Sequence, residues 1–275
     1  MEFTYHAPAV PLRGLVGSYY ILRSDIPVLH DRLRAEMANV RFILKGHGRV
    51  NRPGRYTRTY PEAALVGSGS VPCDVEVHGP AILLGASVTA TGWKRLFGVD
   101  ADELTDIVVD LAALVGDGIR AHVERMREAL SDAARIDAAD GLFLDLLARS
   151  RWQSPQLIES VDDWLLCAKS RTLDSLAQEN AMSWRQLSRI VRAHYGMSPK
   201  RLQRKYRALH AALDMSRGIC GVQNGFYDRP HMIREFHAFI GCTPREYAGG
   251  RSKLISVSVA KRLSIPGIPP LTLLS

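Results

Sequence analysis

Two stretches of this 275-residue chain are one pattern written twice. Ser183 to Pro199 reads SWRQLSRIVRAHYGMSP, and Asp228 to Pro244, 45 residues further on, reads DRPHMIREFHAFIGCTP. Laid over each other, Ser183 meets Asp228, Leu187 meets Met232, Arg189 meets Arg234, Val191 meets Phe236, Gly196 meets Gly241, and Ser198-Pro199 meets Thr243-Pro244. The matches are physical. Each copy has a residue that caps a helix start, apolar positions that share one helix face, and an arginine beside them. Each then has a glycine suited to ending a helix and a new cap with proline behind it. A unit that recurs in this way confines the region to helices joined by tight turns.

The helices can be placed around the repeat. Gln156 to Lys169 carries an apolar stripe (Leu157, Ile158, Val161, Trp164, Leu165) and predicts a first helix. Leu173 to about Asn180 predicts a second. Ser183 with Gln186 forms a capping box that opens a third. Ser198-Pro199 opens a fourth, running to about Ser216, and Ile219 to Asn224 is a short fifth. Asp228 caps a sixth, and Thr243 a seventh, with the Glu246 carboxylate three residues on. Each copy is therefore helix, tight turn, capped helix, which projects the N-terminal half of the capped helix outward. Leu187, Ile190 and Val191 fall inward in the first copy, with Arg185, Ser188, Arg189 and Arg192 outward. In the second, Met232, Phe236 and Phe239 fall inward, with Arg229, Pro230, His231, Ile233 and Arg234 outward.

Charge follows this division. Residues 1–150 hold 17 Lys/Arg against 19 Asp/Glu, residues 151–250 hold 15 against 9, and residues 251–275 hold four basic residues and no acidic one. The positive charge thus lies in the C-terminal part, as in a nucleic-acid-binding half joined to a neutral half. From Asn180 to Leu213 there are eight Lys/Arg and no carboxylate: Arg185, Arg189, Arg192, Lys200, Arg201, Arg204, Lys205 and Arg207. A solvated helix face ordinarily mixes both signs. An outward arginine can grip guanine O6 and N7 in the major groove, and Lys200, Arg201, Arg204 and Lys205, beside capped helix N-termini, can hold phosphates. The fourth helix, about 18 residues at roughly 1.5 Å each, separates the two heads by about one DNA turn.

The first 92 residues read as β-rich. NVRFILKGHGRV joins a β-branched and aromatic run to a Gly-His-Gly turn, and Cys73, Val75 and Val77 alternate with Asp74, Glu76 and His78. Residues 93–150 read as mostly helical. Thr91 is placed as a cap for a turn through Trp93, Leu96 and Phe97. A stripe through Ile119, Val123, Met126 and Leu130 and another through Leu142, Phe143, Leu146 and Leu147 form a helical pair, which either covers the sheet or makes a homodimer contact. The predicted class is α+β: a small antiparallel β-barrel or sandwich with a helical pair in residues 1–150, an all-α domain of about seven helices with two helix-turn-helix units in 156–250, a linker from Arg149 to Pro155, and an irregular basic tail in 251–275.

Residues 158–250 resemble the DNA-binding domain of the AraC/XylS family of bacterial transcription regulators. The likeness is carried by Leu176-Ala177, Ser183, Leu187, Arg189, Gly196, Ser198-Pro199, Gly225-Phe226, Asp228, Arg234, Phe236, Gly241, Thr243-Pro244 and Tyr247. It implies base-reading positions at Arg185, Ser188 and Arg189, and at Pro230, His231, Ile233 and Arg234. Residues 1–150 are more weakly similar to the β-barrel sensing domains that precede this module, chiefly through LLGASVTATGWKRLFGVDADELTDIVVDL. Ala181 stands where the family's first turn carries glycine, Gly221 where it carries a helical alanine, and Pro230 offers no hydrogen bond to a base. The first head is therefore expected to carry more specificity than the second.

The DNA-binding set read from the sequence is Arg185, Ser188, Arg189, Arg192, Arg229, His231 and Arg234, with Lys200, Arg201 and Arg204 on phosphates. The implied partners are double-stranded DNA, a small-molecule effector, RNA polymerase and a second copy of the chain through the N-terminal domain. The alternatives are an effector-free regulator governed by a protein partner or its own level and, behind it, an N-terminal metal-binding enzyme domain fused to a DNA-binding domain. His30, His47, Glu76 and His78 fit no metal-ligand spacing, and no nucleophile elbow, phosphate loop or His-Glu-x-x-His motif is present. Neither enzymatic activity nor a cofactor or metal is therefore expected. Cys73, Cys167, Cys220 and Cys242 are far apart without a Cys-x-x-Cys pair and read as reduced thiols. With no basic-then-apolar start and no apolar run of about 18 residues, the expected location is the cytoplasm.

Overall fold

Alternation of apolar and polar side chains builds the N-terminal half as one antiparallel sheet. The computed structural model describes residues 1–152, 156–166, 172–219 and 225–250, with Leu254 and Leu271. Its strands are β1 (Glu2–His6), β2 (Val16–Ser24), β3 (Val28–Leu33), β4 (Asn39–Arg52), β5 (Tyr56–Thr59), β6 (Ala63–Val66), β7 (Cys73–Val88) and β8 (Val108–Asp110). The order is β1-β2-β7-β4-β6-β8, with β3 added to β7 and β5 to β4. The two longest strands, β4 and β7, run beside each other from Asn39↔Ser87 to Asn51↔Asp74, with register shifts around Lys45. β7 carries β2 on its second half and β3 on its first.

Each strand feeds two apolar layers, because successive side chains point to opposite faces. Tyr19 and Ile21 of β2, Val40 and Phe42 of β4, and Leu84 and Ala86 of β7 face a core shared with helices. Leu22, Val50, Val75 and Leu83, from the same three strands, face the hollow of the curled sheet. The helices on the first face are α1 (Ala90–Phe97), α2 (Leu111–Val115), α3 (Arg120–Glu128) and α4 (Asp132–Arg149). The apolar stripes of α3 and α4 face the sheet through Val123, Met126, Leu142 and Phe143, so they are used inside this half. Two local expectations are corrected. The cap of α1 is Thr89, whose side chain accepts from Gly92 N–H, and not Thr91. Leu130 falls in the loop after α3, fully exposed.

The C-terminal half is helical: α5 (Leu157–Leu166), α6 (Leu173–Glu179), α7 (Trp184–Tyr195), α8 (Pro199–Ser216), α9 (Arg229–Ile240) and α10 (Pro244–Ala248). Its core joins Leu157, Val161, Leu187, Val191, Leu209 and Phe236, drawn from both copies of the repeat. Part of the expected linker, the end of the first expected helix, nearly all of the short helix at Ile219–Asn224 with Gly221, the basic tail apart from Leu254 and Leu271, and Cys167 and Cys220 lie outside the described residues. Cys73 and Cys242 are buried thiols.

One polar knot holds the β4–β5 hairpin to the edge of the sheet domain. Asp106, buried and with φ +63°, accepts from Arg52 Nη1 at 2.9 Å, Arg55 Nη1 at 3.0 Å, and Ser70 N–H at 2.7 Å. Tyr56 donates to its backbone carbonyl at 2.8 Å. Asparagine tolerates a positive φ, so Asp106→Asn keeps the backbone while removing the charge and one of the two acceptor oxygens. Breaking a buried ion pair from one side costs about 3–5 kcal/mol. At the low end of that range the expected fall in Tm is roughly 6–12 °C. A thermal melt of the Asn variant within 2 °C of the parent would contradict this role.

Candidate nucleic-acid interface

Both capped helices of the repeat are built by local chemistry. Ser183 Oγ accepts from Gln186 N–H, and Gln186 Oε1 accepts from Ser183 N–H at 2.9 Å, completing the capping box of α7. Trp184 Nε1 donates to Asp174 Oδ1 at 2.8 Å, fixing the first turn of α7 against α6. The turn between them places Ala181 at φ +51°, a conformation that costs a non-glycine residue about 1 kcal/mol. Asp228 Oδ1 accepts from His231 N–H at 2.7 Å and caps α9. Gly196 (φ +80°) and Gly241 (φ +91°) end the two helices in the left-handed region that their lack of a Cβ permits.

The outward sets lie where the periodicity puts them. Leu187 and Val191 are buried and Ile190 half-buried, while Arg185, Arg189 and Arg192 are exposed and Ser188 half-buried. On α9, Phe236 and Phe239 are buried, Arg229, Pro230, Ile233 and Arg234 are exposed, and His231 is half-buried. The His231 ring accepts from Tyr227 N–H at 3.3 Å and stands 3.9 Å from Glu235. It is thereby held beside the helix rather than projecting from it.

The cations of α8 depart from the phosphate-binding expectation. Lys200 is exposed. Arg204 forms a two-pronged pair with Glu235 of α9, at 2.8 and 2.7 Å, and the guanidinium holds that carboxyl below its usual range. Arg201 Nη2 donates to the Ser70 carbonyl at 3.0 Å. Lys205 is a clear correction: it is buried against the sheet domain, donating to the carbonyls of Glu36 (2.7 Å) and Gly69 (2.8 Å) and to Ser68 Oγ (3.4 Å). The signal was present in the sequence. Leu202, Lys205, Tyr206 and Leu209 share one helix face, and that stripe is buried.

The far ends of α7 and α9 dock on the sheet domain. Thr105 Oγ1 donates to the Gly196 carbonyl at 2.6 Å, and the His194 ring lies 3.3 Å from the Ala90 carbonyl. At α9, Ala35 N–H donates to the Phe239 carbonyl at 2.7 Å and Arg32 Nη1 to the Gly241 carbonyl at 3.2 Å. A Cβ on Gly196 would stand 2.3 Å from Thr105 Oγ1, and one on Gly241 2.7 Å from Arg32 Cδ. The two matching glycines of the repeat thus serve the docking as well as the turn.

The histidines of the sheet domain do gather. His47 and His78 stack with centroids 4.2 Å apart, Glu76 contacts His78 Nε2, and His30 Nδ1 is 3.5 Å from Glu76. Among the described residues no group of three or more His, Cys, Asp or Glu side chains is arranged to hold a metal ion. No helix among them is long and apolar enough to cross a membrane.

Residues 176–249 match the family model described as a helix-turn-helix domain. The match lies within the stretch whose sequence resembles the AraC/XylS DNA-binding domain. Three solved structures similar over most of the chain can be set beside it. Apo ToxT from Vibrio cholerae, as a point variant, is 12% identical over 84% of this chain and 97% of its own, with a TM-score of 0.47. Wild-type ToxT from Vibrio cholerae with bound unsaturated fatty acid is 11% identical over 90% and 94%, with a TM-score of 0.47. The AraC-like transcriptional activator CuxR is 15% identical over 77% and 87%, with a TM-score of 0.32. A comparison with curated proteins gave no match.

The buried lysine gives the docked helix-turn-helix domain a pH dependence. Burial pulls the Lys205 amine down from the ordinary 10.5 to about 7, with Asp106 and Glu36 pushing the other way. Between those values the unfolded chain holds a proton that the folded chain has released, so rising pH favours the fold. Below about 7 both states are charged and the contribution is flat, at its least favourable. Denaturant stability of the parent relative to Lys205→Met is expected to rise from pH 7 to 9 by up to about 1.4 kcal/mol per unit. A difference that stays level across that range rules this out.

Proposed function

We propose that the protein is a sequence-specific regulator of transcription that binds double-stranded DNA and reads two adjacent major-groove segments with α7 and α9. The observation that carries this reading is a helix-turn-helix domain whose two matching helices expose Arg185 and Arg189, and Arg229 and Arg234, from capped N-terminal halves, with Arg192 exposed in the last turn of α7. Their C-terminal ends are turned into the sheet domain. α8, 18 residues and about 27 Å long, spaces the heads near one turn of the duplex. Lys200 and the free N–H groups at helix starts supply phosphate contacts. Arg201 and Arg204 join them only by leaving Ser70 and Glu235.

The sheet domain supplies the regulatory part of this proposal. A cavity opens in its curled face, with about 880 Å³ of empty space counted to include solvent at its mouth. Tyr20, Leu33, Tyr60 and Val75 line it, together with the cations Arg34, Arg41 and Lys45. An apolar hollow with a few convergent polar groups is the usual form of a small-ligand site. This chemistry suits an effector with an apolar body and an anionic group. RNA polymerase and a second copy of the chain complete the proposed partners.

Selection from a random duplex pool at fixed salt tests the reading, and equal binding to random and selected DNA would overturn it. On the selected site, Arg189→Ala is expected to lose about 1–3 kcal/mol of discrimination at one base pair. Lys200→Ala should weaken all sequences alike and lower the salt slope by about 1. His231→Ala and Arg234→Ala should cost less discrimination than Arg185→Ala and Arg189→Ala. The reverse order contradicts the dominance of the first head.

A further inference from the structure

The two heads are anchored to different parts of the sheet domain, and only one anchor is a wall of the cavity. Residues 33–37 run from the end of β3 to the start of β4. On one side this segment faces the hollow: Leu33, Arg34 and Glu36 line it. Glu36 Oε2 accepts from Arg41 Nη2 at 2.5 Å, and Arg41 in turn reaches the hydroxyls of Tyr20 (3.2 Å) and Tyr60 (2.6 Å), both also in the lining. Arg41 is buried from solvent yet borders the cavity, so the fork lies within reach of whatever occupies it.

On the other side the same segment holds the end of α9 and the face of α8 packed beside it. Ala35 N–H donates to the Phe239 carbonyl at the end of α9. Ala35, Ala208 of α8 and Phe239 form a small apolar cluster of their own, all but fully buried. The Glu36 carbonyl accepts from Lys205 Nζ at 2.7 Å and from Gly69 N–H at 2.8 Å. Gly69 lies so close that a Cβ there would stand 3.0 Å from Glu36 N. A segment packed this tightly on both faces cannot shift on one side alone.

The first head rests elsewhere. Gly196 and His194 of α7 are held by Thr105 and Ala90, which belong to α1 and the turn after residues 101–104. Trp93, Leu96 and Ala101 beside them pack in the helical core on the opposite face of the sheet from the hollow.

We propose that occupancy of the cavity is transmitted through Arg41, Glu36 and residues 33–37 to the second helix-turn-helix unit, leaving the first in place. Glu36 and Arg41 act here as positioning residues. The inference rests on the cavity being the regulatory site of the proposed function, and it specifies how that regulation is divided between the heads. A ligand that draws Arg41 from Glu36 loosens or turns α9 relative to α7, and so alters the second half-site and the spacing between the two.

Hydrogen exchange on the full chain tests this without DNA or ligand. Glu36→Gln removes the charge facing Arg41 while keeping the backbone. It is expected to speed amide exchange in residues 229–241 several-fold and leave residues 184–196 unchanged. Arg41→Lys, which keeps a cation but loses the fork, is expected to give the same pattern. Thr105→Val, which removes the donor to Gly196, should do the converse. Equal acceleration of both helices by Glu36→Gln, exchange that rises alike throughout the chain in both cavity variants, or an unchanged α9 in both would each overturn the proposal. If the divided exchange pattern holds while the duplex selection fails, the coupling stands and the reading as a DNA-binding regulator falls.

Discussion

An α-helix ends in carbonyls that its own turns cannot satisfy, and here the sheet domain supplies donors to the last carbonyls of both reading helices. Thr105 serves Gly196, and Ala35 and Arg32 serve Phe239 and Gly241. The arginine adds a favourable charge at the negative end of the α9 dipole. Because the C-terminal ends are occupied in this way, the N-terminal halves are the ends left to solvent, and those carry Arg185, Arg189, Arg229 and Arg234. The orientation of the heads is thus a consequence of where the sheet domain offers donors, as much as of the turns within each repeat.

Lys205 shows what this docking costs. Burying an amine is unfavourable unless it is well bonded, and its acceptors are two carbonyls and a hydroxyl rather than a carboxylate. The nearest carboxylates work through space, with Asp106 and Glu36 opposing the desolvation. Asp106 is itself held by Arg52, Arg55 and Ser70, and the Ser70 carbonyl also receives Arg201. The hairpin tip, the 68–70 loop and the start of α8 therefore share one polar cluster at the seam between the halves.

Local chemistry was legible in the sequence and distant packing was not. Ser183, Ser198, Asp228 and Thr243 cap the helices they were expected to cap, because a cap depends on a side chain and an N–H three residues away. Thr91 lies inside α1 instead, and Thr89 holds the cap position, accepting from Gly92 N–H and donating to the Gly14 carbonyl across the fold. The β-rich character of residues 1–92 was legible, and the alternation at Cys73–His78 marks the start of β7, but the Gly-His-Gly expected as a turn lies inside β4, and the place of β7 against β2, β3 and β4 depends on partners tens of residues away. The basic run of α8 misled most. Charge density along a helix does not show that one of its faces is turned into another part of the protein, and only the stripe shared by Leu202, Tyr206 and Leu209 carried that information.

The repeat also divides unequally in a way that residue types alone understate. Arg185, Arg189 and Arg192 have no carboxylate within ion-pair reach among the described residues, so the α7 surface is uniformly positive. α9 carries Glu235 within its own turns, paired with Arg204 and close to His231. That carboxylate ties α8 to α9 and withdraws Arg204 from the surface that faces outward. It also lowers the positive potential beside Arg234, which matters because phosphate attraction supplies most of the sequence-independent affinity for DNA. The second unit is thus braced more tightly, by Glu235 from within and by residues 33–37 from below. It also presents less charge.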